Sequence, residues 1–146
     1  MQARMYLEQI ERYDKFIQEK LAEIYQLRCM ATSVTAAMGT ERVQSSSASD
    51  KLGNIVAAIA DKEEEVQQMI NHFFAEKAER IQLIEKLDNL LEYTVLHDRY
   101  IQYMALTDVA EKEGYSYQYI LEIHGRALKN IQIFLNNLYK PMETYI

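Results

Sequence analysis

The chain has 146 residues and a formal net charge of −6, with 49% hydrophobic and 26% charged residues. This composition is typical of folded, helix-rich proteins and excludes an intrinsically disordered chain. Its single cysteine, Cys29, excludes an internal disulfide and a cysteine-rich zinc site. No apolar run reaches the length of a membrane span and the N-terminal sequence is too polar for a signal peptide, so we expect a cytoplasmic protein without a membrane partner.

The first predicted element is an amphipathic helix from Gln2 to about Cys29. Its apolar residues recur every three or four positions and form one stripe: Tyr6, Ile10, Tyr13, Ile17, Leu21, Ile24 and Leu27. The next stretch, from Ala31 to Ser49, is rich in Ser, Thr and Ala and has no sustained period. It is predicted as a loop with at most a helical turn of its own.

A second helix is predicted from Asp50 to about Leu87, with Ser47, Ser49 or Asp50 as its N-cap. Its apolar positions again form one stripe: Leu52, Ile55, Ile59, Val66, Ile70, Phe73, Ile81, Ile84 and Leu87. Two such helices can bury their stripes against each other as an antiparallel hairpin, or against a second copy of the chain. The sequence leaves both arrangements open.

A soft boundary at Asp88-Asn89 divides the chain into a helical region, residues 1–88, and a C-terminal domain, residues 89–146. The domain begins with a short helix whose apolar residues are Leu90, Leu91, Val95, Leu96, Tyr100 and Ile101. Its last helix starts near Tyr117 and is expected to run up to Pro141, which stops it. Gly125 weakens this helix, which indicates a close helix crossing there.

The segment from Leu106 to Lys129, LTDVAEKEGYSYQYILEIHGRALK, has the residue spacing of a helix-turn-helix unit. Such a unit needs a small residue where its helices cross, a residue tolerant of positive φ in the turn, and two apolar anchors on the second helix. The residues at these positions are Ala110, Gly114, Ile120 and Ile123. Thr107 and Ser116 can cap the two helices. The alternative is an ordinary αα-corner in a helical bundle.

The charge balance bears directly on DNA binding, since phosphate neutralisation drives affinity and DNA-binding domains are usually basic. Residues 1–89 hold 15 acidic and 11 basic side chains, and the rest of the chain holds 7 and 5. Between Tyr115 and Lys140, the basic residues Arg126, Lys129 and Lys140 face only Glu122. Any DNA contact is therefore expected to be local and weak.

The sequence contains no motif of enzymatic or metal chemistry. His72, His97 and His124 lie far apart and lack the close carboxylate or histidine partners of metal sites. No P-loop, dinucleotide glycine motif, nucleophile elbow or zincin motif occurs. The charged runs at residues 62–65 and 76–80 are interpreted as solvated helix faces. We therefore expect a protein that is not an enzyme and holds no cofactor or metal.

The tract LHDRYIQYMALTDVAEKEGYSYQYILEIHGRALKNI resembles region 4 of bacterial housekeeping sigma factors, which reads the −35 promoter element and docks on the RNA polymerase flap. It has the same leucine-tyrosine helix, an LTDVA positioning helix and a recognition helix that runs into ALKNI. The whole chain, including ERVQSSSASDKL and IVAAIADKEEEV, is similar to a family of small phage and prophage proteins of Gram-positive bacteria. That family is related to the ArpU and RinA type late transcriptional regulators.

The resemblance implies an all-α fold: a long antiparallel, coiled-coil-like helical hairpin followed by a sigma region 4-like helix-turn-helix domain. It also implies sequence-specific binding of promoter or operator DNA in phage transcription control, inside the bacterial host, with host RNA polymerase as a further candidate partner. The implied DNA-contacting residues are Tyr117, Gln118, Tyr119, Leu121 and Glu122, with Arg126 and Lys129 near phosphate. Sigma factors have several arginines at the start of this helix. Here tyrosines can donate to phosphate instead, and Gln118 can pair bidentately with adenine.

Two other functions stay open from the sequence. The chain has 11 tyrosines, and those at positions 115, 117 and 119 cluster at the turn; Tyr115 is expected to pack into the core. Because tyrosine is enriched at interfaces, the alternative function is a non-enzymatic adaptor that binds a protein partner through this unit. A coiled-coil assembly protein is the third hypothesis. The helix stripes and the apolar face of the last helix predict a homodimer; that face comprises Ile131, Phe134, Leu135 and Leu138.

Overall fold

The structure, a computed structural model, describes residues 1–40 and 46–140, and within these ranges all regular secondary structure is helical. The predicted all-α class is confirmed. In chain order the elements are α1 (Ala3–Thr40), α2 (Ser46–Glu85), α3 (Leu90–Leu96), a π-helical segment π1 (His97–Ile101), α4 (Leu106–Glu113) and α5 (Tyr117–Leu138). No helix in the described ranges is both long enough and apolar enough to cross a membrane.

The two long helices extend further toward each other in sequence than predicted. Residues 31–40 continue α1 and residues 46–49 begin α2, so the predicted loop was wrong in these two parts. Its middle, residues 41–45, lies outside the described residues. The three N-cap candidates for the second helix were also wrong, because Ser47, Ser49 and Asp50 lie within α2.

Two threonines show how a polar, aperiodic sequence stays helical at the end of α1. The Thr32 hydroxyl donates to the carbonyl oxygen of Arg28 at 3.0 Å, and the Thr35 hydroxyl donates to that of Ala31 at 2.9 Å. These polar groups are thus satisfied inside the helix. Most side chains from residue 31 to 37 are exposed. An exposed helix needs no apolar stripe, which is why the hydrophobic period disappears before the helix ends.

The chain forms two compact units. Unit 1 comprises residues 1–13 and 74–146, and unit 2 comprises residues 14–73. The predicted domain boundary between residues 88 and 89 lies inside unit 1. The break between α2 and α3 does occur there: Asn89 caps α3, and its side chain accepts a hydrogen bond from the Glu92 N–H at 3.0 Å.

The core of unit 1 joins the start of α1, the end of α2, the segment from α3 to π1, and α5. Its buried members are Ala3, Tyr6, Leu7, Leu83, Ile84, Leu87, Leu96, Tyr100, Ile101, Ala127, Ile131 and Leu135. Phe134 packs against this cluster, whereas Leu138 is exposed. The apolar face of the last helix, which was expected to contribute to the homodimer, is therefore largely covered by residues of α1, α2, α3 and π1 of its own chain. Pro141 lies outside the described residues, and α5 ends before it, at Leu138.

The charged run at residues 76–80 is not a solvated face throughout, because Arg80 is only 3% exposed. Its guanidinium group lies 4.0 Å from the ring centroid of Tyr6. It donates to the Tyr6 carbonyl oxygen at 3.1 Å, to Gln9 Oε1 at 2.8 Å, and to the Glu76 carboxylate. The cost of burying the charge is offset by these acceptors, two of which come from α1 and cannot be recognised from the local sequence.

Candidate nucleic-acid interface

The segment predicted as a helix-turn-helix contains two helices, α4 and α5, joined by residues 114–116. Gly114 ends α4 in the left-handed conformation, with φ 75°, as the sequence predicted. The Tyr115 N–H then donates to the carbonyl oxygen of Ala110 at 3.0 Å, which closes the end of α4. Ser116 is confirmed as the cap of α5, because its hydroxyl oxygen accepts a hydrogen bond from the Tyr119 N–H at 3.1 Å.

The predicted cap of the first helix was wrong. Ala105 occupies the N-cap position of α4 and gives it no side-chain hydrogen bond, while Thr107 lies one residue inside the helix. Asp108 in the first turn still places a negative charge where the free N–H groups favour it.

A small apolar cluster holds α4 and α5 together. Its buried members are Val95, Val109, Ala110, Ile120 and Ile123, each at most 4% exposed. Leu91, Met104 and Leu106 pack against it. Three residues that the spacing singled out, at positions 110, 120 and 123, therefore share one core. Its other two buried members are Val95 from α3 and Val109 from α4. This cluster fixes the beginning of α5 against α3 and α4.

All seven predicted contact residues are exposed on α5: Tyr117, Gln118, Tyr119, Leu121, Glu122, Arg126 and Lys129. Positions 118, 122, 126 and 129 are spaced by three or four residues, so they lie along one face of the helix. The buried residues of α5 form the opposite face: Ile120, Ile123, His124, Ala127, Ile131 and Leu135. The four positions 118, 122, 126 and 129 form one accessible surface, which we call the α5 face, and Tyr117, Tyr119 and Leu121 are exposed beside it at the start of the helix.

Tyr115 does not pack into the core, contrary to prediction. Its side chain is 49% exposed, and its ring lies 5.1 Å from the ring of Tyr119. The buried cluster that contains Val109, Ala110 and Ile120 does not include Tyr115. The turn therefore carries an exposed pair of aromatic rings.

The α5 face has few available cations. Lys112 on α4 is committed elsewhere: its ammonium group lies 2.7 Å from the carboxylate of the buried Asp98 and 3.6 Å from that of Glu113. The hydrogen bond that Lys112 donates to the Asp98 carboxylate raises the pKa of Lys112. In the part of the chain that the structure describes, Arg126 and Lys129 are held in no ion pair. These two side chains are the cations that α5 can offer to a phosphate backbone.

The opposite face of α5 carries a buried polar contact that the sequence did not indicate. His124 is 4% exposed, and its Nε2 lies 2.8 Å from the hydroxyl oxygen of Tyr100 in π1. Burial, together with the nearby positive charges of Arg4 and Arg99, lowers the pKa of His124 to about 4. Burial also raises the pKa of Tyr100. Both side chains are therefore neutral near pH 7, and His124 links α5 to π1.

Gly125 was expected to mark a close helix crossing. A Cβ atom added at Gly125 would meet nothing within 4 Å, so the expected close helix crossing at this glycine was wrong. No group of three or more His, Cys, Asp or Glu side chains in the described residues is arranged to hold a metal ion.

What α5 offers chemically is a capped helix start with one amide, two phenol hydroxyls, an aliphatic side chain and one carboxylate, followed by two cations. Amides and hydroxyls can read base edges or bond phosphate oxygens, and guanidinium and ammonium groups neutralise phosphate.

Comparisons of the chain with protein-family models, with curated proteins and with solved structures find no match.

Proposed function

We propose that this protein binds DNA sequence-specifically through the α5 face, as a helix-turn-helix regulator of the sigma region 4 type in phage transcription control. The observation that carries the proposal is the exposed start of α5, capped by Ser116 and held on its inner side by Ile120 and Ile123. A capped helix start with exposed Tyr117 and Gln118 side chains is what a major-groove reader requires. In this proposal the sigma region 4-like helix-turn-helix domain comprises residues 89–146.

The helical region, residues 1–88, is proposed to form an antiparallel hairpin. Pairs of contacts within each compact unit support it. In unit 2, Glu23 pairs with Lys62 and Arg28 pairs with Glu63; in unit 1, Arg80 reaches back to Tyr6. In each unit, residues of α1 thus meet residues of α2. We propose that this region serves homodimerisation, with host RNA polymerase as a second candidate partner.

One observation favours a second function, that of an adaptor that binds a protein. Tyr115, Tyr117, Tyr119 and Leu121 are 38–49% exposed around the start of α5. Residues 106–140 also hold four acidic and four basic side chains, so this segment is not a polycation. Aromatic side chains with little net charge are typical of a protein interface.

Replacing Gln118 with Ala separates the two functions. Its side chain is exposed, so the variant should fold normally, and it should lose about 1–3 kcal/mol of discrimination at one base pair. The matched control is Asn137→Ala, which removes an exposed amide at the far end of the same helix. Binding is measured by mobility shift and footprinting across the phage genome that encodes the protein, at low salt, with and without host polymerase.

A footprint in a late-gene promoter that Gln118→Ala weakens at one base pair, and Asn137→Ala leaves intact, would support the regulator. If no DNA is bound even with polymerase present, the regulator proposal fails. The adaptor would then be favoured if the same variant loses binding to a protein partner.

A further inference from the structure

Unit 2 has two flanks of different character. On one flank, the Glu23 carboxylate lies 3.1 Å from the Lys62 ammonium group and 3.7 Å from that of Lys20. The other flank, which we call the neutral flank, contains an open groove between α1 and α2. Ile24, Val66 and Ile70 line it together with Leu21, Tyr25 and Gln67, and the ion pair between Arg28 and Glu63 borders it.

The neutral flank exposes large apolar side chains. Tyr25 is 68% exposed and Leu21 is 39% exposed, although both line the groove. On α2, Val56 is 54% exposed, and its spacing of seven residues from Glu63 places it on the same side of that helix. Exposed aromatic and aliphatic groups, together with few charges, are the composition of an interface core.

We propose that the neutral flank is the homodimer interface, and that Tyr25 of each copy enters the groove of the other. The inference deepens the proposed dimerisation and rests on it. A two-fold axis brings the same patch of both copies together, so the patch must complement itself. The neutral flank does so in shape, because it carries both a projecting aromatic ring and an apolar groove.

The charges of the neutral flank are also self-complementary. Arg28 and Glu63 form one ion pair beside the groove, so each copy offers one positive and one negative group at the same place. A two-fold axis near this pair can set Arg28 of one copy opposite Glu63 of the other, so that opposite charges and not like charges meet across the interface. A partner with a strongly charged face would find no matching charge here.

The small core of unit 2 gives a reason for a second copy. Among the described residues of this unit, the buried apolar side chains are Ile17, Ile24, Ile55, Val66 and Phe73. Two helices with so few buried side chains approach the limit at which a core is stable alone. Pairing two copies through the neutral flank produces a four-helix arrangement, in which facing helices share one core.

The test is sedimentation equilibrium of the full chain, without DNA, for wild type, Tyr25→Lys and Met30→Lys. Met30 is the matched control: it lies five residues further along α1, is 49% exposed and does not line the groove. Both substitutions add the same charge to exposed positions, so the far-UV circular dichroism of both should match that of wild type. We expect a wild-type dimer at tens of micromolar, at least about a tenfold weaker dimer for Tyr25→Lys, and a change of less than about twofold for Met30→Lys.

The other outcomes overturn the inference in distinguishable ways. A dimer that Tyr25→Lys leaves intact, or that Met30→Lys weakens equally, would place the interface elsewhere while leaving dimerisation itself standing. A monomeric wild-type chain would overturn both dimerisation and its location, and would leave the groove to a helix of another protein. Because no DNA is present, none of these results depends on the proposed DNA binding.

Discussion

Replacing Arg80 with Ala should destabilise the protein strongly, because this side chain joins α2 to α1 inside unit 1. The guanidinium group is buried, lies over the Tyr6 ring, and donates to the carbonyl oxygens of Tyr6 and Glu76 and to the Gln9 side chain. It also pairs with the Glu76 carboxylate. Alanine removes the donor from each of these contacts and leaves a cavity.

The loss can be estimated from the separate interactions. A hydrogen bond that involves a charged group contributes about 1.5–3 kcal/mol, and a desolvated cation–π contact contributes about 2 kcal/mol. These contributions overlap, and the Glu76 side chain, 33% exposed, can regain water. Breaking a buried ion pair by removing one partner typically costs about 3–5 kcal/mol in total, which is our expectation for Arg80→Ala. The melting temperature should fall by on the order of 10 °C.

The assay is urea unfolding followed by far-UV circular dichroism. The control is Arg12→Ala, since the Arg12 side chain is 76% exposed and lies 3.8 Å from Glu8; it should change the free energy of unfolding by less than about 0.5 kcal/mol. Arg80→Lys keeps the charge but loses the planar fork, so it should fall between wild type and Arg80→Ala. A loss below about 1 kcal/mol for Arg80→Ala would refute the buried arrangement of this side chain.

Two further predictions concern the turn and its supporting helix. Gly114→Ala should lower the free energy of unfolding by about 1–2 kcal/mol, because φ is 75° at this position. Gly125→Ala should raise it by about 0.5–1 kcal/mol, since the added Cβ meets nothing within 4 Å. Urea unfolding that gives both variants a change of the same sign would contradict this. The free energy of unfolding should also fall by up to about 3 kcal/mol from pH 6.5 to pH 4. Over this range His124 takes up a proton in the unfolded chain but stays largely neutral in the folded protein, where its pKa is lowered to about 4. His124→Gln should lack this part of the pH dependence. A variant whose free energy of unfolding depends on pH in the same way as that of wild type would refute the prediction.

The sequence predicted the turn well because the residues that form it lie close together in the chain. Ala110, Gly114 and Ile120 are separated by only a few positions, and Ser116 needs nothing beyond the next turn of α5 to act as a cap. Local spacing and backbone preference decide such a feature. The exposure of the seven predicted contact residues follows from the same helical spacing.

The features that the sequence did not indicate depend on partners far along the chain. Arg80 is buried because α1 supplies acceptors more than 70 residues away, and His124 is satisfied by Tyr100, 24 residues earlier. Tyr115 was expected to pack into the core, but it is 49% exposed and is not part of the cluster that holds α4 and α5 together. Periodicity also reports burial and not helicity, so it could not detect the exposed end of α1.

The proposed dimer and the scarcity of cations on α5 are physically connected. Arg126 and Lys129 are the cations available on the α5 face, and each phosphate contact contributes about 0.9 to the slope of log affinity against log salt. One protomer would therefore bind with a slope near 2, which is too shallow for tight binding on electrostatic grounds alone. A dimer presents two such helices and doubles that slope to about 4. It also makes the second contact intramolecular, which raises affinity without any new side chain. If unit 2 pairs the two copies, the proposed DNA binding therefore requires no more cations than each α5 face carries.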